Sequence, residues 1–127
     1  MKNFYALIVL MMPLSLLSLS NVEVRNDIQA IINVQNFPQD MGDGVTSLSG
    51  MSTSTRGIVY NYNLSLNQDT LPGLSNIMST LYKTNLNNLC TNQTMSWYKT
   101  NDIDLSYVYY DESGNLVSLF SINALNC

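Results

Sequence analysis

Residues 103–122, Ile-Asp-Leu-Ser-Tyr-Val-Tyr-Tyr-Asp-Glu-Ser-Gly-Asn-Leu-Val-Ser-Leu-Phe-Ser-Ile, read as two β-strands around one turn. Ile103, Leu105, Tyr107 and Tyr109 alternate with Asp104, Ser106, Val108 and Tyr110. A period of two marks a strand whose faces meet different surroundings. Asp111 to Asn115 supply a turn in which Gly114 can take a positive φ without steric cost. Leu116, Ser118, Phe120 and Ile122 then alternate with Val117, Leu119 and Ser121. Apolar residues occur on both faces, which predicts a hairpin at the centre of a sheet or covered on both sides.

Two cysteines bracket this hairpin, Cys90 before it and Cys127 after it. Their meaning depends on the compartment. Met1-Lys2-Asn3 is a short basic segment, and Phe4 to Leu17 is nearly all apolar. Ser18-Leu19-Ser20 then offers small residues at the third and first positions before Asn21. That order reads as a secretory signal peptide over residues 1–20, followed by a single domain over 21–127. The apolar run is short for a membrane span of about 20 residues; a membrane association is expected only if the segment is kept as an anchor. No cysteine stands near the expected cut, so no lipid anchor is expected. An even cysteine count in an oxidising compartment favours a Cys90–Cys127 disulfide. Closing a loop of that length is worth about 4 kcal/mol on chain-entropy grounds. The alternative is a pair of buried free thiols. A redox role lacks the Cys-x-x-Cys spacing.

Upstream, Ile58, Tyr60, Tyr62 and Leu64 alternate with Val59, Asn61 and Asn63, a strand with one buried and one wet face. Val45 to Ser54 is rich in Ser and Thr and broken by Gly50, which suits an edge strand with a bulge. Across Arg56-Gly57 the two segments form a hairpin. Between the hairpins, Leu71, Leu74, Met78 and Leu81, with Ile77 beside them, make a helical apolar stripe. Asp69 or Thr70 can cap it, and Pro72 suits its first turn. Asn85 interrupts the stripe, so a bend or end is expected there before Leu86, Leu89 and Cys90. A short helix through Met95, Trp97 and Tyr98 is expected next, capped by Thr91 or Asn92. At the start of the domain, Val24, Ile28, Ile31 and Ile32 predict a helix near 24–34, capped by Asn26 or Asp27 and ending before Pro38. The sum is an α+β domain: an antiparallel sheet of about four strands in two hairpins, two or three helices on one face, and one disulfide.

Composition narrows the function classes. Charged residues are 11% of the chain, and residues 21–127 hold four basic and nine acidic groups. That balance excludes nucleic acid and anionic lipid as expected partners. The sequence contains no histidine, which removes Ser-His and Cys-His catalysis and most zinc sites. Asp102 with Asp104, and Asp111 with Glu112, are carboxylate pairs at strand ends and turns, where solvated turn chemistry explains them. Residues 111–115 lack the ligand spacing of a calcium loop. No catalytic, metal-binding or cofactor-binding residue is therefore assigned, and the protein is expected not to be an enzyme. Tyr60, Tyr62, Tyr107, Tyr109 and Tyr110 fall on strands of one sheet and are read mainly as core. The competing reading makes some of them, with Trp97 and Tyr98, the lining of a groove for an extended peptide of a protein partner.

Several stretches carry a family resemblance. Phe37-Pro38, Tyr60-x-Tyr62, Leu89-Cys90-Thr91, Leu105 to Asp111, Gly114 and Cys127 together resemble a group of small exported bacterial proteins of an α+β, single-disulfide type. More distantly, the arrangement is similar to the disulfide-bridged pilotins of type II secretion. The resemblance implies that Cys90 and Cys127 are bridged and that the helices pack over the sheet. Pilotins bind a short segment of an outer-membrane secretin and are anchored through an amino-terminal cysteine, which this chain lacks, so no partner-binding residue is carried over. The expectation is an exported, periplasmic or secreted bacterial binding or adaptor protein. The alternative is an inhibitor or immunity-type protein acting on an envelope or wall-degrading enzyme, for which an acidic balance suits a basic target.

Overall fold

The computed structural model of the chain describes residues 19–67, 69 and 73–127. Most of the expected leader, and Thr70, Leu71 and Pro72 of the expected helix start, lie outside the described residues. The elements are α1 (Asn21–Asn33), β1 (Gln39–Asp40), β2 (Thr46–Ser54), β3 (Gly57–Leu64), α2 (Leu74–Thr91), α3 (Ser96–Thr100), β4 (Asp104–Tyr110) and β5 (Leu116–Ile122). Short 3₁₀ turns precede α3 at Gln93–Met95 and end the chain at Ala124–Asn126.

Helix α1 starts three residues before the expected position. Ser20 is its cap, not Asn26 or Asp27: Ser20 Oγ accepts from the Glu23 N–H at 3.2 Å, and the Glu23 carboxylate accepts from the Ser20 N–H at 3.3 Å. This reciprocal box satisfies two otherwise orphaned donors. Helix α2 begins after Gly73, whose φ of +81° needs a residue without Cβ, and neither Asp69 nor any other side chain caps it. It runs unbroken past Asn85, because the Asn85 Nδ2 donates to the Leu81 carbonyl one turn back at 2.9 Å. The polar group is thus satisfied within the helix, and the expected bend does not occur. Asn92 caps the following turn as expected, its Oδ1 accepting from the Thr94 N–H at 3.0 Å.

The sheet has the order β1-β2-β3-β4-β5. Both expected hairpins form, and the register of the first slips between Leu48 and Gly50, where the bulge was expected. Two features correct the sequence reading. A two-residue strand, β1, adds a fifth member by pairing Gln39 with Leu48. The central pair, β3 and β4, is parallel, with Gly57 facing Asp104 and Asn63 facing Tyr110. Helix α2 carries the chain back to the end where β3 began, and such a crossover produces a parallel neighbour. Close approach there demands Gly57: a Cβ would run into the Asp104 carbonyl.

Register aligns Ile58, Leu105 and Ile122 in one row, Tyr60, Tyr107 and Phe120 in the next, and Tyr62 with Tyr109 in a third. These rows form one core with Val24 and Ile28 of α1 and Met78 and Leu89 of α2. Each fully buried aliphatic side chain contributes about 1.5–3 kcal/mol. The other face is polar at Asn61, Ser106 and Ser121, with the two serine hydroxyls hydrogen-bonded at 2.7 Å. The last hairpin is neither wholly central nor covered on both sides: β5 is an edge strand, and Leu119 on its outer face is 61% exposed.

Candidate functional site

The two ends of the sheet differ in chemistry. At the end holding Cys90, the chain is fastened. Cys90 and Cys127 are bonded, with Cα atoms 5.6 Å apart, so the tail is tied to the last turn of α2 as expected. Buried Asn101 gathers three segments. Its Oδ1 accepts from the Leu19 N–H and its Nδ2 donates to the Trp97 carbonyl, both at 2.9 Å. Its carbonyl accepts from Arg56 Nε and Nη2 at 2.9 and 2.6 Å, and Arg56 Nη1 reaches Asn21 Oδ1 at 2.8 Å. Trp97 and Tyr98 meet edge to face here, with centroids 5.1 Å apart.

Between the ends runs the tyrosine ladder. Ring centroids are 5.1 Å apart for Tyr60–Tyr107, 4.8 Å for Tyr62–Tyr109 and 5.0 Å for Tyr107–Phe120, all stacked. Tyr107 and Tyr109 are buried, and Tyr60 and Tyr62 are half-buried. Burial pushes the Tyr60, Tyr62, Tyr98, Tyr107 and Tyr109 phenols above the ordinary tyrosine value, and the proximity of other phenols adds to this for Tyr60 and Tyr107. Phenols held this way keep their protons through the physiological range. Tyr110 points to the other side of the sheet from this ladder, as strand alternation requires. Of the aromatic residues singled out in the sequence, Tyr62 and Tyr109 line a depression at the open end, whereas Trp97 and Tyr98 stand toward the fastened end, with Tyr98 near enough to Tyr60 and Tyr107 to raise their phenols.

At the open end, depressions surround Val45 and Thr46, and three of them bear on binding. An apolar cleft of about 340 Å³ lies between α2 and the β2–β3 sheet, walled by Val45, Leu64, Leu66, Leu74, Ile77 and Leu81. A second, of about 250 Å³, has Tyr62 and Tyr109 with Met41 and Leu81 in its lining and shares Asp43 with the first. A third, of about 380 Å³, is lined by Val45, Leu64, Ser65, Asp111 and Glu112. Asp43 organises the intervening loop. Its carboxylate accepts from the Val45 N–H at 2.9 Å, and from the Thr46 N–H and hydroxyl, both at 2.6 Å. These hydrogen bonds, the hydroxyl's foremost, hold its carboxyl below the usual carboxylate value. Sequence reasoning missed Met41, Val45 and Leu66. The signal it did contain was Ile77, an apolar residue beside a helical stripe already wide enough for the core; it is 45% exposed. Among the described residues, no three His, Cys, Asp or Glu side chains converge to hold a metal ion.

The fold defines a class: a mixed five-stranded sheet covered on one face by helices, its tail held to the long helix by one disulfide. No protein-family model matches the sequence, and no curated relative matches it. Solved structures do. The pilotin EpsS of the Vibrio vulnificus type 2 secretion system is similar with a TM-score of 0.63 at 13% identity, over 84% of this chain and 90% of that one. A Pseudomonas aeruginosa protein assigned as secreted is similar with a TM-score of 0.69 at 12% identity, over 87% and 98%. The distant likeness to a pilotin, expected from the cysteine and aromatic pattern, thus holds at the level of the fold. Among the described residues no helix is long and apolar enough to cross a membrane.

Proposed function

We propose that the protein is an exported, non-enzymatic binding or adaptor protein of the bacterial envelope, and that it holds a protein partner at the open end of its sheet. The observation that carries this is the apolar cleft between α2 and the β2–β3 sheet. It is walled almost wholly by aliphatic side chains, and Ile77 and Val45 stay exposed at its mouth. Concave apolar surface with a few polar groups at its rim is what a ligand or peptide anchor fills. Likeness to a pilotin and to a secreted protein agrees with an envelope role. The chemistry also supports binding over catalysis. There is no histidine, both cysteines are bonded, and the ladder phenols are pushed away from neutral pH.

A photo-reactive residue in place of Ile77, activated in living cells, tests this. The expected result is one discrete protein adduct, absent when the same residue replaces Thr100 at the fastened end. Ile77→Ser should lower partner retention while leaving the melting temperature unchanged, since exposed positions rarely move stability beyond about 0.5 kcal/mol. No adduct from Ile77, or equal adducts from both positions, would overturn the reading.

A further inference from the structure

Resting on that binding role, we infer that the occupant of the open end is a basic amphipathic peptide segment of a protein partner, and that Asp111 seats one of its lysine or arginine side chains. Charge is the first ground. Asp40, Asp43, Asp111 and Glu112 all stand on β1 or in loops at this end. The four basic residues of 21–127 stand elsewhere: Arg25 on α1, Arg56 in the β2–β3 turn, Lys83 on α2 and Lys99 on α3. Clefts lined by one sign of charge focus the field and draw the opposite charge.

The second ground is Asp111 itself, only 3% exposed. Its Oδ1 accepts from the Ser113 and Asn115 N–H groups at 3.0 and 2.9 Å. Its Oδ2 is buried and has no hydrogen-bond donor within the protein. A buried acceptor left without a donor is costly, because it has given up its hydration and gained no partner in exchange. The third depression adjoins it, and its lining suits a long basic side chain. Val45 and Leu64 offer apolar wall for the methylene stem, while Asp111, Glu112 and Ser65 offer oxygens for the head. Ammonium and guanidinium groups carry donors only and supply what Oδ2 lacks. A calcium ion needs about six to eight oxygens, more than two carboxylates bring. Val45 and Leu64 also wall the apolar cleft, so one peptide can place an apolar side chain there and a basic one beside Asp111.

The test titrates the isotope-labelled exported protein with short amphipathic peptides of leucine with lysine, leucine with arginine, and leucine with glutamate. The basic peptides should bind and shift the amide resonances of Val45, Ser65, Glu112 and Gly114, and the glutamate peptide should not bind. Asp111→Asn keeps the Oδ1 acceptor and removes the charge. It should weaken the basic peptides at least about tenfold, as loss of one partner of a buried charge pair does. Because Asp111 also holds its turn, the exposed Glu112→Gln provides a second variant, with an expected loss of about threefold from a rim charge. Equal binding of the glutamate peptide, unchanged affinity in both variants, or shifts confined to the Arg56 and Lys99 end would overturn the inference. So would the same amides responding to calcium chloride alone or to self-association. If the Ile77 adduct forms while basic peptides do not bind, this inference fails and the binding role stands. If basic peptides bind but no Ile77 adduct forms, the binding role fails at the apolar cleft.

Discussion

The fastened end and the open end are built from the same kinds of segment, turns between strands and helix termini, yet they use their polar groups oppositely. At the fastened end polar groups tie segments to one another: Asn101 joins Leu19, Trp97 and Arg56, Asn123 Nδ2 donates to Asp104 Oδ1 at 2.9 Å, and Lys99 Nζ donates to the Cys90 carbonyl at 3.2 Å. At the open end, carboxylates accept from their own loops and leave capacity over, with Asp111 Oδ2 the extreme case. Exposed apolar side chains occur at both ends, Met41, Val45, Ile77 and Leu116 at or near the open one and Val22 and Leu125 at the fastened one, but only at the open end do they border a cleft. A domain of this size has only about 5–15 kcal/mol of net stability. Concentrating cross-links at one end lets the other carry exposed apolar surface and unpaired charge without unfolding.

Removing the staple should therefore have the largest effect. Reduction, or joint Cys90→Ser and Cys127→Ser, should lower stability by about 4 kcal/mol, the chain-entropy value for a 37-residue separation. Urea midpoints with and without reductant read this directly. Equal midpoints would mean that the fastened end owes nothing to its bond.

Alkaline pH probes the ladder that connects the ends. The folded phenols of Tyr60, Tyr107 and Tyr109 titrate above the unfolded value of about 10. Their contribution is fully present below pH 10. It is lost as pH rises above that, because the unfolded chain then releases protons that the folded chain keeps. Each such group withdraws about 1.4 kcal/mol by pH 11, and about 3 kcal/mol is expected for the three once solvent at the ring edges is allowed for. Tyrosinate absorbance should rise together with the loss of near-ultraviolet circular dichroism. Gradual ionisation of these three without unfolding would show that the ladder is open to water along its length.

Much of this division was legible in the sequence at the fastened end and little at the open one. Period-two alternation in 58–64 and 103–122 and the spacing of Leu74, Met78 and Leu81 are local signals, and the strands and helix they predict formed. Strand direction was not legible. Whether β3 and β4 run parallel depends on where α2 delivers the chain, which no local pattern encodes. β1 escaped because two residues cannot show a period, and Ser20 escaped as a cap because it sits inside the expected leader. The open-end clefts arise where three segments distant in sequence meet, so neither Val45 nor Asp111 announced a site.

A smaller expected effect separates a local from a long-range use of one residue. Asn101→Ala removes the acceptor for Leu19 and the donor to Trp97, but keeps the backbone carbonyl that Arg56 holds. Two part-buried partners lose a hydrogen bond, for an expected cost of about 2 kcal/mol. Of this, the Trp97 contact lies four residues away within α3 and its flank, whereas the Leu19 contact spans the whole domain. A chain beginning at Asn21 lacks the Leu19 amide and the Ser20 cap, so the same substitution there should cost only about 1 kcal/mol. The difference between the two costs is the coupling between the start of α1 and the Asn101 hub. Urea unfolding of the four chains measures it. Identical costs would mean that Leu19 contributes nothing and that the fastened end is closed by Arg56 and the disulfide alone. At the open end, Asp43→Ala removes three hydrogen bonds from an exposed loop, and about 0.5 kcal/mol is expected there because water replaces what the loop loses. If that substitution proved as costly as Asn101→Ala, the two ends would share the burden of stability, and the open end would lose its claim to be the freer surface.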